Sequence, residues 1–193
     1  SPVRRKKGAI VAYYQTPPAN TRVICIDELG PLSAKSYLGK GWAPVDQPPR
    51  VAPDYGRRAF LWVFGAFEPK TGKAVTHCSH RRRSQDFLAF LDQVVQAWPQ
   101  EELVFILDNL AVHKTIDVQL WALAHQRVRF LFQPTYAPWL NLIEPWWKTL
   151  RSLALAGRRF ENVVDLGSSI CKGTEYWNDH CHPYVWRKSY NSN

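Results

Sequence analysis

The chain has 193 residues, with 25 Lys and Arg against 16 Asp and Glu, a net charge of +9. Apolar residues make up 46% and charged ones 21%, which suits one folded domain and excludes a disordered chain. The longest apolar run, Ala59 to Phe67, is far shorter than the roughly 20 residues of a membrane span, so a membrane protein is excluded. The start Arg4-Arg5-Lys6-Lys7, followed by Ala9 to Ala12, imitates a signal peptide. Its apolar stretch is too short, and Tyr13-Tyr14-Gln15 offers no small-residue cleavage site. Position 1 is Ser and there is no Met, so a piece of a longer reading frame is expected.

Residues 1–20 read as a basic arm or linker that closes on Thr16-Pro17-Pro18-Ala19-Asn20. Thr21 to Ile26 is a β-branched run, a predicted strand that ends at Asp27. From Leu29 to Pro53 the Gly and Pro residues are dense, which predicts a long loop outside the core, with Lys35, Lys40 and Trp42 free to touch a partner. Arg58 to Phe67 and Ala74 to Cys78 are predicted strands joined in a hairpin by Pro69 to Lys73. Ser84 reads as the N-cap of a helix with Phe87, Leu88, Leu91, Val94, Val95 and Trp98 at helical spacing, stopped by Pro99.

Leu103 to Leu107 is a buried-type strand that delivers Asp108. Thr115 to His125 is helix-like, Val128 to Phe132 is a strand, and Gln133 to Trp139 is a Pro-bounded loop. The next helix carries Trp146, Trp147, Leu150 and Leu153 on one face. Residues 162–193 read as a helix around Val164 to Tyr176 and then an aromatic, basic tail. Three antiparallel strands followed by βα units predict an α/β fold, a mixed sheet with helices on both faces.

The positive charge is clustered. No acid precedes Asp27, and further knots are Arg57-Arg58, Arg81-Arg82-Arg83, Arg158-Arg159 and Arg187-Lys188. Such knots suit a polyanion, because Lys and Arg neutralise phosphates and release counterions. Nine Trp and eight Tyr add stacking surface, although most aromatics fill cores. Cys25, Cys78, Cys171 and Cys181 are irregularly spaced and read as reduced thiols of a cytosolic protein. His77-Cys78-Ser79-His80 and His180-Cys181-His182 lack matched partner pairs at zinc spacing, so the bland reading stands for both.

Asp27 and Asp108 each follow an apolar strand, where a charge is costly unless it has work at the sheet's edge. If their strands are neighbours, two anions lie close together and need a cation between them. Glu144, 36 positions after Asp108, opens the closing helix as a third candidate. Three carboxylates are hard oxygen ligands for Mg²⁺, with Mn²⁺ as a substitute. Two such ions about 4 Å apart activate a nucleophile and stabilise the leaving oxygen of a phosphodiester. The duller readings are strand-end turns at Asp27-Glu28 and Asp108-Asn109. For Glu144 they are a capping box from Asn141, or an N-cap ahead of Pro145.

Three blocks carry a resemblance: Ile26-Asp27-Glu28; Leu107-Asp108-Asn109 with His113-Lys114; and Tyr136 through Trp147 with Glu144 inside it. Together they resemble the catalytic blocks of DDE transposases, namely bacterial insertion-sequence transposases of the mariner superfamily, over about Arg22 to Phe160. The resemblance implies an RNase H-like five-stranded sheet and a Mg²⁺-dependent DNA endonuclease and strand transferase that moves DNA by cut and paste into TA targets. Asp27, Asp108 and Glu144 would be both the catalytic and the metal-holding residues, with Asp27 bridging the ions. Asn109 and His113 match the block as supporting, loop-shaping residues.

The resemblance also implies an endonuclease domain over residues 21–160, a C-terminal helix and tail over 161–193, transposon-end and target DNA as partners, a homodimer, and a nucleoid-associated cytoplasmic location in bacteria. Leu142 stands where many relatives have Pro, and Pro145 directly follows the acid. The helix-turn-helix module that precedes the catalytic domain in the family is missing from this chain, so weak DNA binding with little sequence preference is expected. The competing readings are another RNase H-like nuclease and a domesticated domain that binds DNA without chemistry. Trp177, Tyr184 and Trp186 suit either an interface or packing on their own domain.

Overall fold

Alternation along the first strand sets the architecture. Ile24 and Ile26 point to one side and Val23 and Cys25 to the other, and all four are buried, so both faces of the sheet must be covered. The computed structural model describes residues 2–39, 59–135 and 137–184. Five strands, β1 (Thr21–Ser33), β2 (Phe60–Phe67), β3 (Ala74–Ser79), β4 (Glu102–Leu107) and β5 (Val128–Phe132), form one sheet in the order β3-β2-β1-β4-β5. β1 pairs antiparallel with β2 and β2 with β3, while β1–β4 and β4–β5 are parallel. The helices are α1 (Pro2–Gln15), α2 (Ser84–Ala97), α3 (Ile116–Ala124), α4 (Ile143–Ala154) and α5 (Val163–Asp179). Phe87, Phe90, Leu91 and Val94 of α2 and Val118 of α3 pack on the Ile24/Ile26 face. α4 and α5 cover the opposite face through Ile143, Trp146, Leu150, Leu166, Ile170 and Trp177. The expected mixed sheet with helices on both faces is what forms.

Several expectations need correction. Residues 2–15, read within an arm, are helical; Ile10 is fully buried beside Val23, Ile106 and Leu140. Within the apolar run Ala9 to Ala12 it is Ile10 that reaches the core, a signal that the four preceding basic residues disguise. β1 does not stop at Asp27 but runs on to Ser33, because β2 offers a partner beyond the reach of β4: Asp27 pairs with Gly65, Glu28 with Phe64 and Leu32 with Leu61. Pairing shifts between Leu29 and Leu32, around Pro31, which has no N–H to donate. Leu29, Leu32 and Ala34, expected in a loop outside the core, are buried.

The helix α2 starts one residue earlier than read. Arg83 is its N-cap position and Ser84 is inside, since the Asp86 carboxylate accepts the Arg83 amide at 3.2 Å and does the capping itself. Asn162 caps α5 by accepting the Asp165 amide at 2.9 Å. Trp177 and Tyr184 pack on their own domain: the Trp177 indole donates to the Gly72 carbonyl, and the Tyr184 ring meets Phe67 at 4.8 Å. Lys40, Trp42, Arg57-Arg58, Tyr136, Trp186 and Arg187-Lys188 lie outside the described residues.

Candidate active site

The ladder between β1 and β4 runs from Thr21↔Glu102 to Cys25↔Ile106. Two residues beyond its last pair stand Asp27 and Asp108, on neighbouring strands just past the end of the parallel ladder. Strand alternation places Asp27 on the same face as Cys25, the face covered by α4. Glu28 falls on the opposite, α2-covered face. Asp27 is therefore not a turn former; it sits inside a continuous strand opposite Gly65. Asp108 is one: its Oδ1 accepts the Leu110 amide at 2.9 Å, closing the turn after β4.

Glu144 lies in the first turn of α4, exposed, with its amide on the Asn141 carbonyl at 3.2 Å. Neither of its dull readings holds. Leu142, with helical backbone, takes the N-cap position, and the Asn141 side chain is turned inward to donate to the Ile26 carbonyl at 2.9 Å. Asn141 thereby ties the start of α4 to the strand just before Asp27. The next turn of α4 reaches Asp27 directly, where the Trp147 indole donates to Oδ2 at 3.0 Å. Trp146 and Trp147 are adjacent and both buried, which one helical stripe does not explain. Trp146 stacks on Phe67, and Trp147 fills the space over Gly65, where any Cβ would collide with its ring. The absence of a side chain at Gly65 is what lets Trp147 approach Asp27.

The two carboxylates titrate in opposite directions. Burial pushes Asp27 up to about 7, and the negative charges of Glu144 and Glu28 add to this, against the bonds from Trp147 and the Glu28 amide. Burial also raises Asp108, but His113 and the Leu110 amide outweigh it, leaving that carboxyl below the usual range. His113 is buried against Phe87, with its Nε2 2.8 Å from Glu28 Oε1 and its Nδ1 3.0 Å from Asp108 Oδ1. The second contact is an ion pair without good hydrogen-bond direction. Burial would lower the imidazole, yet the two carboxylates push it up to about 9, so it carries a proton at neutral pH.

Beside this relay, the Asn109 amide donates to the Gln133 carbonyl at 2.6 Å and Lys114 donates to Asn109 at 2.9 Å. A cleft of about 320 Å³ opens there, lined by Asp108, Asn109, Gln133, Thr135 and Pro138 among others.

The fold thus brings Asp27 and Asp108 together and sets Glu144 within electrostatic reach of Asp27. Among the described residues, no group of three or more His, Cys, Asp and Glu stands ready to hold a metal ion. What fits a hard cation is the donor chemistry and the charge: oxygen ligands only, one of them kept partly protonated by burial and neighbouring anions. Sequence reasoning missed Trp147 as a partner of Asp27, Glu28 as a partner of His113, and Tyr14. Tyr14, on α1, donates its hydroxyl to the Leu140 carbonyl at 2.7 Å and so braces the approach to α4. Only the Trp-Trp pair held a signal, since two neighbouring indoles point about 100° apart on a helix.

The family model described as "DDE superfamily endonuclease" matches residues 22–167. A curated relative, the "Insertion element IS630 uncharacterized 39 kDa protein" of Shigella sonnei, is 27% identical over 114 residues, 58% of this chain and 33% of its own. Mos1 transposase, solved as a paired-end complex with the left transposon end, superposes with a TM-score of 0.63 at 13% identity over 92% of this chain and 58% of its own. The mariner Mos1 paired end complex with Mg gives 0.67 at 14% identity, over 94% and 56%. The HTLV-2 integrase catalytic core domain, in complex with magnesium, gives 0.52 at 12% identity over 81% and 82%. These likenesses mark the five-stranded sheet as RNase H-like. The match spans a third of the curated relative and little more than half of the Mos1 chain.

Proposed function

The chain belongs to the DDE superfamily endonucleases, and on that premise we propose that it is the catalytic domain of a transposase that cleaves and joins DNA phosphodiesters. The observation that carries this reading is the placement of Asp27 and Asp108 on adjacent strands, each two residues beyond the last parallel pair, with Glu144 close enough to press on Asp27. These three residues would hold Mg²⁺ or Mn²⁺. Bound divalent ions supply Lewis acidity, lowering the pKa of an attacking water or 3′-hydroxyl and neutralising the leaving oxygen.

The chain's own residues do the positioning. Trp147 fixes one oxygen of Asp27, and the Asp108 turn is held by the Leu110 amide and by His113. His113, charged and braced by Glu28, orients Asp108 rather than exchanging protons with substrate. Asn141 sets the register of α4, and with it the reach of Glu144. The net charge of +9 favours a polyanionic partner such as a duplex.

By the same reading the substrates are transposon-end and target DNA, with TA as target, and a homodimer handles two ends. Support comes from the Mos1 complexes that share the fold. The test is nicking of supercoiled plasmid with Mg²⁺ or Mn²⁺ by wild type and by Asp27→Asn, Asp108→Asn and Glu144→Gln. Wild type is expected to nick only with the metal, and each variant to fall to the level seen in EDTA. Unchanged nicking by Asp108→Asn would remove that residue from the site; a wild type inert with both metals would favour a DNA-binding domain without chemistry.

A further inference from the structure

Several arginines that the structure describes are engaged within the protein. Arg83 binds Asp86 at 3.0 Å, Arg22 binds Glu68 and Glu101, and Arg127 donates to the carbonyls of Val95, Trp98 and Glu101. Arg82 differs. Its guanidinium lies over the Trp62 ring, 4.7 Å from the centroid, and no carboxylate pairs with it among the described residues. It is exposed, yet its charge is felt at Asp108.

Topology explains the placement. β3 runs parallel to β1, so its end at Ser79, opposite Trp62, lies at the edge that carries Asp27 and Asp108. The turn into α2 then sets Arg82 on the α2 side of the acids. A guanidinium stacked on an indole keeps its N–H fork free at the rim, is already ordered, and is weakly hydrated, the properties that suit it to a phosphate. A merely solvated arginine would have none of this preorganisation.

We propose that Arg82, held on Trp62, binds a DNA backbone phosphate adjacent to the acidic cluster and so positions the duplex against it. The choice of DNA as the ligand rests on the endonuclease reading above; the site and its phosphate chemistry rest on the stacked, unpaired guanidinium.

The experiment measures binding of a labelled duplex by fluorescence anisotropy in EDTA between 50 and 200 mM salt, for wild type, Arg82→Ala, Arg81→Ala, Trp62→Leu and Asp108→Asn. Loss of one phosphate contact is expected to weaken binding about tenfold near 0.1 M salt and to flatten the log–log salt slope by about 0.9. Trp62→Leu should move both values the same way but less, and Arg81→Ala, which removes an unstacked neighbouring charge, should leave the slope nearer wild type. Thermal melts check that each variant is folded. An Arg82→Ala protein with wild-type affinity and slope overturns the proposal. So does an equal loss in Arg81→Ala, or a wild type without measurable binding at 50 mM salt. Asp108→Asn should retain binding. A wild type whose binding depends on Arg82 but which never nicks sinks the endonuclease reading and leaves the phosphate contact standing; nicking with Arg82-independent binding does the reverse.

Discussion

Around Asp27 the molecule is closely packed: a strand interior, the Trp147 indole, and Gly65 opposite with no side chain to intrude. Around Asp108 it is a polar turn, where an amide, a protonated imidazole and a half-open cleft share the surroundings. The same functional group is pushed up to about 7 in the first setting and held below its ordinary range in the second. Neighbouring strands thus supply two unlike carboxylates, one that still holds a share of protons near neutral pH and one ionised and braced. Desolvation governs the first, and a specific charge partner governs the second.

The sharpest way to break this contrast is to remove the brace. His113→Ala leaves Glu28 buried without its cation and should cost about 3–5 kcal/mol of stability, read by urea denaturation. Asp108 should return toward an ordinary carboxylate. Next in size, Gly65→Ala forces the Trp147 ring off Asp27. Overpacking of this kind costs about 1–3 kcal/mol, and plasmid nicking should fall with it because Asp27 loses its anchor. Trp147→Phe keeps most of the packing but removes the donor. It should cost about 1–2 kcal/mol and drive Asp27 still higher, which an NMR titration of its carboxyl would show.

The pH dependence of thermal melting tests the same contrast from the side of the protons. Asp27 is raised from an unfolded value of about 3.9 to about 7, so the folded form holds a proton that the unfolded form has released. Its contribution is favourable in acid and is lost as pH rises from about 4 to about 7. Asp108, held low, acts in reverse, adding stability above about 4 that disappears in acid. His113 favours the fold below about 6.5 and ceases to as pH climbs through about 9. Asp27→Asn should remove the slope between pH 4 and 7 and leave the later one intact. Mn²⁺ should raise the melting temperature more at pH 8 than at pH 5, since at pH 5 a proton on Asp27 competes with the ion.

Element existence and type were legible from local pattern wherever the pattern was local. β5 is observed with the bounds read from Val128 and Phe132, and α2 ends where Pro99 requires. Misreadings fell where a distant partner decided the outcome. The extension of β1 to Ser33 depends on β2, more than 25 positions later, and the burial of Ile10 depends on β1 and β4. In the candidate site, the three acids were visible because each follows an apolar run or opens a helix.

Their supports were not visible. Tyr14 reaches Leu140 across 126 positions and Trp147 reaches Asp27 across 120, and no spacing rule registers such pairs. His113 looked like a turn residue, yet burial between Glu28 and Asp108 makes it a fixed charge.

The amino-acid order by itself determined the apolar stripes, the strand and helix types, the basic excess and the positions of the carboxylates, because these depend on side-chain chemistry and periods of two or 3.6 residues. Tertiary structure alone decided which carboxylates stood on neighbouring strands, which was desolvated, and which arginine came to lie over an indole. Those outcomes depend on strand register and on contacts closed over a hundred residues, where proximity along the chain carries no information about proximity in space.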